Sequence, residues 1–204
     1  MPLASQSATR ARRIFARRKR ALRTRDALRL GIHPRTLYQL HEEGEIERIG
    51  RGLYRLANLP DLPNPDWTTI ANKAPTAVFC LISALSHHRL TTQVPHTIDI
   101  AIPSHSQAPK IDGLPIRAFW FSGKARTFGV QRVKMDGETI RIYSPEKTIA
   151  DCFKYRNKIG VDIAVEALRT YRERDGRKGM AALLKYAEVC RVKRVMMPYL
   201  QAIL

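Results

Sequence analysis

Apolar positions recur at helical spacing in two short segments near the start of the chain and then switch to alternation. Residues Thr24 to Leu30 carry Ala27, Leu28 and Leu30 and stop at Gly31, so a short helix is expected there with Thr24 as its cap and Gly31 as its end. A second helix begins at Pro34, a residue suited to the first helical position, and runs through Leu37 and Leu40 to Glu43, with Gly44 closing it. Glu45–Ile49 and Leu53–Leu56 then alternate in the strand manner around Gly50-Arg51-Gly52, whose glycines permit the positive φ of a tight hairpin turn. Upstream, Ala8 to Arg25 has Ile14, Phe15 and Leu22 as its large apolar residues among nine arginines and lysines. That segment reads as a weakly amphipathic basic helix, an arm leading into the pair of short helices.

The pattern changes after three prolines in six residues, Pro60, Pro63 and Pro65, which can continue neither helix nor sheet. Beyond them Thr76 to His88 is apolar at helical spacing. Thr97–Ile102, Ile116–Phe121 and Gly129–Tyr143 read as strands, the last folded at an Asp136-Gly137 turn. Ser144-Pro145 opens a helix through Lys158, and Val161–Arg174, Lys178–Cys190 and Val192–Leu204 read as three more. The expected organisation is a winged helix-turn-helix with its basic arm over residues 1–58, a proline-rich linker over 59–65, and a mixed α/β domain ending in several helices over 66–204. The fold class is α/β in the broad sense, α+β in detail.

Charge adds a partner to this picture. The chain of 204 residues carries 36 Lys+Arg against 18 Asp+Glu, a net charge of +18, and such an excess points to a polyanion, with nucleic acid ahead of an anionic membrane surface. Residues 1–58 hold 14 basic and 5 acidic side chains, so half of the excess sits in little more than a quarter of the chain. No stretch approaches the roughly 20 apolar residues of a membrane span, and the start of the chain lacks the apolar core of a signal peptide. Cys80, Cys152 and Cys190 lie far apart without CxxC spacing, which reads as reduced core thiols of a cytoplasmic protein.

The second short helix can be tested by angle. At about 100° per residue, Leu37 and Leu40 define a buried direction; Arg35, Gln39 and Glu42 point away from it, Tyr38 lies at the edge and Thr36 flanks. Arginine and glutamine read guanine and adenine edges bidentately, and the N-terminal part of a recognition helix enters the major groove. The hairpin offers Arg48, Arg51 and Arg55, and the arm offers Arg17, Arg18 and Arg20 to phosphates. These residues, with Arg35, Thr36, Tyr38 and Gln39, are the expected DNA-binding set. The alternative is a solvated polar face on a small interaction domain.

The run Arg25-Asp26-Ala27-Leu28-Arg29-Leu30-Gly31-Ile32, followed by Thr36-Leu37-Tyr38-Gln39-Leu40 and by Glu47-Arg48-Ile49-Gly50-Arg51-Gly52-Leu53-Tyr54-Arg55, resembles the N-terminal winged helix of AbiEi-family antitoxins. Ala84-Leu85-Ser86-His87-His88-Arg89-Leu90-Thr91-Thr92-Gln93-Val94-Pro95 and Tyr143-Ser144-Pro145-Glu146-Lys147-Thr148-Ile149-Ala150-Asp151-Cys152 look like the family's C-terminal antitoxin domain. The likeness runs from about residue 22 to 175; the basic segment before it departs from the pattern. The resemblance implies an abortive-infection, phage-defence system with two jobs for this chain. One is repression of the shared operon through the winged helix, and the other is neutralisation of a cognate nucleotidyltransferase toxin. Because one winged helix covers only a short half-site, double-stranded operator DNA with inverted repeats is expected. No membrane partner and no stable oligomer are expected, and the free chain is expected to be a monomer.

Catalytic patterns are sparse. There is no P-loop, HExxH or kinase signature, so no cofactor, metal or catalytic residue is expected. Asp99, Asp136 and Glu138 are the carboxylates that a magnesium site would need, but a strand position and a turn account for them. Ser86 and His88 lie two apart, a spacing that does not face them together on a helix. Asp151, flanked by Lys147 and Lys154 at helical spacing, reads as an ion-pair strut, with a cleft-lining role as the alternative. Two other functions stay open at this point: a C-terminal enzyme that modifies the toxin in the manner of a kinase, and an RNA-binding module suggested by the basic, tyrosine-containing last stretch.

Overall fold

Alanines carry the first helix into the core. The computed structural model describes residues 3–18, 21–59, 64–175 and 178–203, and its first helix, α1 (Leu3–Arg18), buries Ala8, Ala11 and Phe15 on one face. The basic segment is therefore no free arm: it packs against α3 (Pro34–Glu42) and closes a small core with Ile32, Leu37, Leu40 and Ile46. A count of large apolar residues underrates this helix, because two of its three buried positions are methyl groups that let neighbouring backbones come close. Arg12 on its outer side bonds the Glu45 carboxylate.

Strand β1 (Leu22–Arg23) follows α1 and pairs antiparallel with β3 (Leu53–Leu56), which pairs with β2 (Ile46–Gly50), giving the order β1-β3-β2. Between them lie α2 (Thr24–Arg29) and α3. Thr24 is not the cap of α2: Arg23 occupies that position, and the Thr24 hydroxyl donates to the Gly52 carbonyl at 3.4 Å. The end of α2 is as expected, with Gly31 at φ +83° and the Ile32 N–H reaching back to the Ala27 carbonyl at 3.0 Å. The succession α1-β1-α2-α3-β2-β3 is a winged helix-turn-helix in which α1 is an integral helix.

Contacts divide the chain into two units, Met1–Pro75 with Lys134–Thr139, and Thr76–Val133 with Ile140–Leu204. The expected linker is only partly visible: Pro60 to Pro63 lie outside the described residues, and Pro65 opens α4 (Pro65–Lys73), whose Thr68, Thr69 and Ile70 are buried within the first unit. The division thus falls at Pro75 and Thr76, ten residues past the proline run. A proline at a first helical position starts a helix as readily as it interrupts one, and local composition does not distinguish the two.

The second unit is built on a mixed five-stranded sheet in the order β6-β5-β4-β8-β7. Its strands are β4 (Val78–Phe79), β5 (Ile98–Pro103), β6 (Ile116–Phe121), β7 (Val130–Met135) and β8 (Glu138–Tyr143), of which residues 134–139 are grouped with the first unit. The expected helix Thr76–His88 is instead β4 followed by α5 (Leu81–His87). Val78 and Phe79 face Ala101 and Ile100 on one side, and Phe79 faces Ile142 on the other; a two-residue strand of this kind is decided by the partners it finds, not by its own spacing. A short helix, α6 (Gly123–Thr127), precedes β7.

Ser144 accepts from the Lys147 N–H at 3.3 Å and starts α7 (Pro145–Lys154), but the helix breaks at Tyr155 before α8 (Arg156–Ile159). Then come α9 (Val161–Asp175), α10 (Met180–Val189) and α11 (Lys193–Ile203). Helix α7 is the centre of this unit, packed by α5, α9, α10 and α11. Cys80, Cys152 and Cys190 are buried and form no disulfide. Among the described residues no helix is long and apolar enough to cross a membrane.

Candidate nucleic-acid interface

Helix α3 presents its polar face because its apolar residues are fixed on the other side. Leu37 and Leu40 are inaccessible to solvent, which anchors the rotation of the helix. The Nδ1 of His33 accepts from the Arg35 N–H at 3.2 Å, capping the first turn next to Pro34. Arg35 is exposed, and Tyr38 is the most exposed aromatic of the helix at 55%. Gln39 is half-buried and its amide donates to the Glu43 carboxylate at 2.8 Å. That bond holds the glutamine on its own helix, and base contact requires exchanging it.

Thr36 does not share this face. It is 7% exposed, and its hydroxyl donates to Ser7 Oγ on α1 at 3.4 Å. The flanking position inferred from helical angle thus becomes an interior one once α1 packs over it.

The hairpin separates its arginines in the same way. Arg51 sits exposed at the turn, beside Gly52 at φ +68°, and Arg48 is exposed with its Nε donating to the Gly50 carbonyl at 3.3 Å. Arg55 is 4% exposed and bonds the Glu47 carboxylate directly across the strand pair. A guanidinium so engaged braces the wing. Arg17 and Arg18 lie exposed in the last turn of α1, where positive charge suits the helix C-terminus; Arg20 lies outside the described residues. Of the basic residues expected to meet DNA, Arg17, Arg18, Arg35, Arg48 and Arg51 are thus exposed, alongside Tyr38 and the half-buried Gln39 of α3. Three further cations lie beside Arg51: Arg23 of β1, Arg25 of α2 and Lys73 of α4; Lys73 gives no signal in the sequence, because its helix follows a run of prolines.

Several charged and polar residues of the second unit are engaged within it. The two segments that carry the family resemblance meet there: His88 Nε2 bonds the Tyr143 carbonyl at 2.7 Å, and the Tyr171 hydroxyl donates to Glu146 at 2.7 Å. Burial pushes both the His87 and the His88 imidazoles below their usual range. Glu166 of α9 accepts from the hydroxyls of Thr91 and Thr92 and from the Thr92 N–H, pinning the loop after α5.

Asp99 is fully buried and holds a two-point bond from Arg117, at 2.7 and 2.9 Å, together with the Ile82 N–H at 3.2 Å. Burial raises its pKa against the opposing pull of Arg117. Asp136 occupies the turn at φ +51°. Among the described residues no three His, Cys, Asp or Glu side chains gather as metal ligands. Lys147 and Asp151 form the expected ion pair, and both side chains are fully buried.

Residues 10–57 match the family described as transcriptional regulator, AbiEi antitoxin. Over the longer span, the fold is similar to the crystal structure of the RV2827C protein from Mycobacterium tuberculosis, with a TM-score of 0.55 and 14% identity. That superposition covers 96% of this chain and 81% of the other; at such an identity it is a likeness of fold. No curated protein matches the chain.

Proposed function

We propose, from the membership of residues 10–57 in the family of AbiEi antitoxin transcriptional regulators, that this chain is an autorepressing antitoxin. The winged helix would read operator DNA through Arg35, Tyr38 and Gln39 in the major groove, with Arg48 and Arg51 of the wing and Arg17 and Arg18 of α1 on phosphates. The observation that carries the reading is the exposed α3 face opposite Leu37 and Leu40. It places an arginine and a glutamine one turn apart, a pair suited to guanine and adenine edges. Two copies on an inverted repeat supply the contact that a single winged helix lacks for specificity within a genome. The second unit, whose Asp99, Asp151 and Glu166 are engaged within it, is assigned the neutralisation of a nucleotidyltransferase toxin.

The test is fluorescence anisotropy of the full chain on the duplex upstream of its own gene and on a shuffled duplex of equal length. Tighter binding to the native sequence, reduced in Arg35→Ala, supports the assignment. Equal binding to both duplexes overturns it. For the second role, co-expression with the toxin encoded beside it should restore growth.

A further inference from the structure

Arg51 does not stand alone at the tip of the wing. It lines a shallow groove of about 290 Å³ together with Arg23, Thr24 and Arg25, Gly52 and Leu53, and Lys73 of α4. A second groove of about 410 Å³ runs on from it, sharing Arg23 and Arg25 and adding Arg18 and Arg29. The Lys73 stem passes over Gly50 at the end of β2, which brings the last turn of α4 to the hairpin. Six cations from α1, β1, α2, the wing and α4 are thus gathered along one path, and the carboxylate among its linings is Asp26, 3.7 Å from Arg25.

We infer that this path is a track for the sugar-phosphate backbone of duplex DNA, extending the footprint of the winged helix beyond α3 and the wing tip. The inference rests on the reading of this unit as a DNA binder and adds Arg23 and Lys73 to its contacts. Its chemistry selects the ligand. Like charges held together repel unless an anion lies between them, and partial burial together with the neighbouring Arg25 already holds the Arg23 guanidinium below its ordinary pKa. Among the described residues neither groove has an aromatic side chain in its lining, so they offer no stacking platform of the kind by which proteins hold single-stranded bases. Arginines and a lysine on backbone walls fit phosphates, which contribute affinity and position without sequence preference.

The experiment measures binding of the full chain to a 20-base-pair random-sequence duplex across a salt series. Arg23→Gln with Lys73→Gln should lower the slope of log K against log salt by about 1 per cation removed, while the ratio of native-operator to random affinity stays as it was. Asp26→Asn should tighten duplex binding about two- to fivefold at low salt by freeing Arg25, a gain that misfolding cannot produce. An unchanged slope in the double variant together with no gain in Asp26→Asn overturns the track, as does a single strand of the same length binding with equal affinity and the same losses. Either result leaves the α3 assignment standing if Arg35→Ala still lowers operator preference. Failure of the wild-type chain to bind any duplex sinks both.

Discussion

The Lys147 ammonium lies 2.5 Å from the Asp151 carboxylate, one turn away on α7, and neither side chain is reached by solvent. The pair is enclosed: Lys147 Nζ sits 4.1 Å from the Tyr143 ring centre, and the second Asp151 oxygen accepts from the Cys190 thiol at 3.2 Å. Burial raises the Asp151 pKa, opposed mainly by Lys147, and pushes the Cys190 thiol up to about 12. Removing one partner leaves a buried charge uncompensated, whereas removing both leaves a gap of ordinary polarity. Lys147→Met or Asp151→Leu alone should therefore cost about 3–5 kcal/mol, and the double substitution distinctly less than the sum. Urea unfolding of the three variants checks this; strict additivity would show that the pair is not coupled.

Phe15 belongs to the core of the winged helix, not to a tail. Phe15→Ala should destabilise the first unit by about 3–5 kcal/mol and abolish duplex binding with it. Arg13→Ala on the outer face of the same helix should leave thermal stability within about 0.5 kcal/mol. Circular dichroism melts of both variants separate a structural helix from a disordered basic arm.

On α3, Arg35→Ala or Gln39→Ala should cost about 1–3 kcal/mol of operator binding and relax base preference at one position. Arg55→Ala should behave differently, because its guanidinium spans the hairpin to Glu47: stability falls, and binding is lost to all duplexes alike. A selection of bound sequences from a randomised pool distinguishes the two outcomes.

The histidines at the end of α5, His87 and His88, set an acid limit on the second unit. Both His87 and His88 titrate below the ordinary 6.5 in the folded chain. Between the folded and unfolded values the unfolded chain binds more protons, so stability rises with pH across that window and is lost on acidification. The melting temperature should fall from pH 7.5 to 5.5, less steeply in a His87→Gln/His88→Gln variant. Parallel curves for the two proteins would rule the histidines out as the cause.

Division of labour between the units has its own check. The full chain carrying Arg35→Ala and Gln39→Ala should still restore growth when co-expressed from an independent promoter with the neighbouring toxin. Loss of protection by this soluble, folded variant would mean that DNA binding itself is the protective act.

Local rules settled much of this protein. Pro34, Leu37, Leu40 and Gly44 are enough to place α3 and its outer face, and Gly52 and the Asp136-Gly137 pair mark turns at positive φ, which glycine and aspartate tolerate better than most residues. The charge excess near the start of the chain is likewise a property of composition. What the sequence could not determine depends on partners distant along the chain. Val78 and Phe79 form a strand because Ala101, Ile100 and Ile142 lie beside them. Ala8 and Ala11 are core because α3 covers them, and the same covering turns Thr36 inward. Arg55 is a brace and Arg51 a free wing tip through strand register alone, since only one of them faces Glu47. Burial is a property of the assembled surface, so a residue's type gives its chemistry, but tertiary packing decides whether solvent or a ligand can reach it.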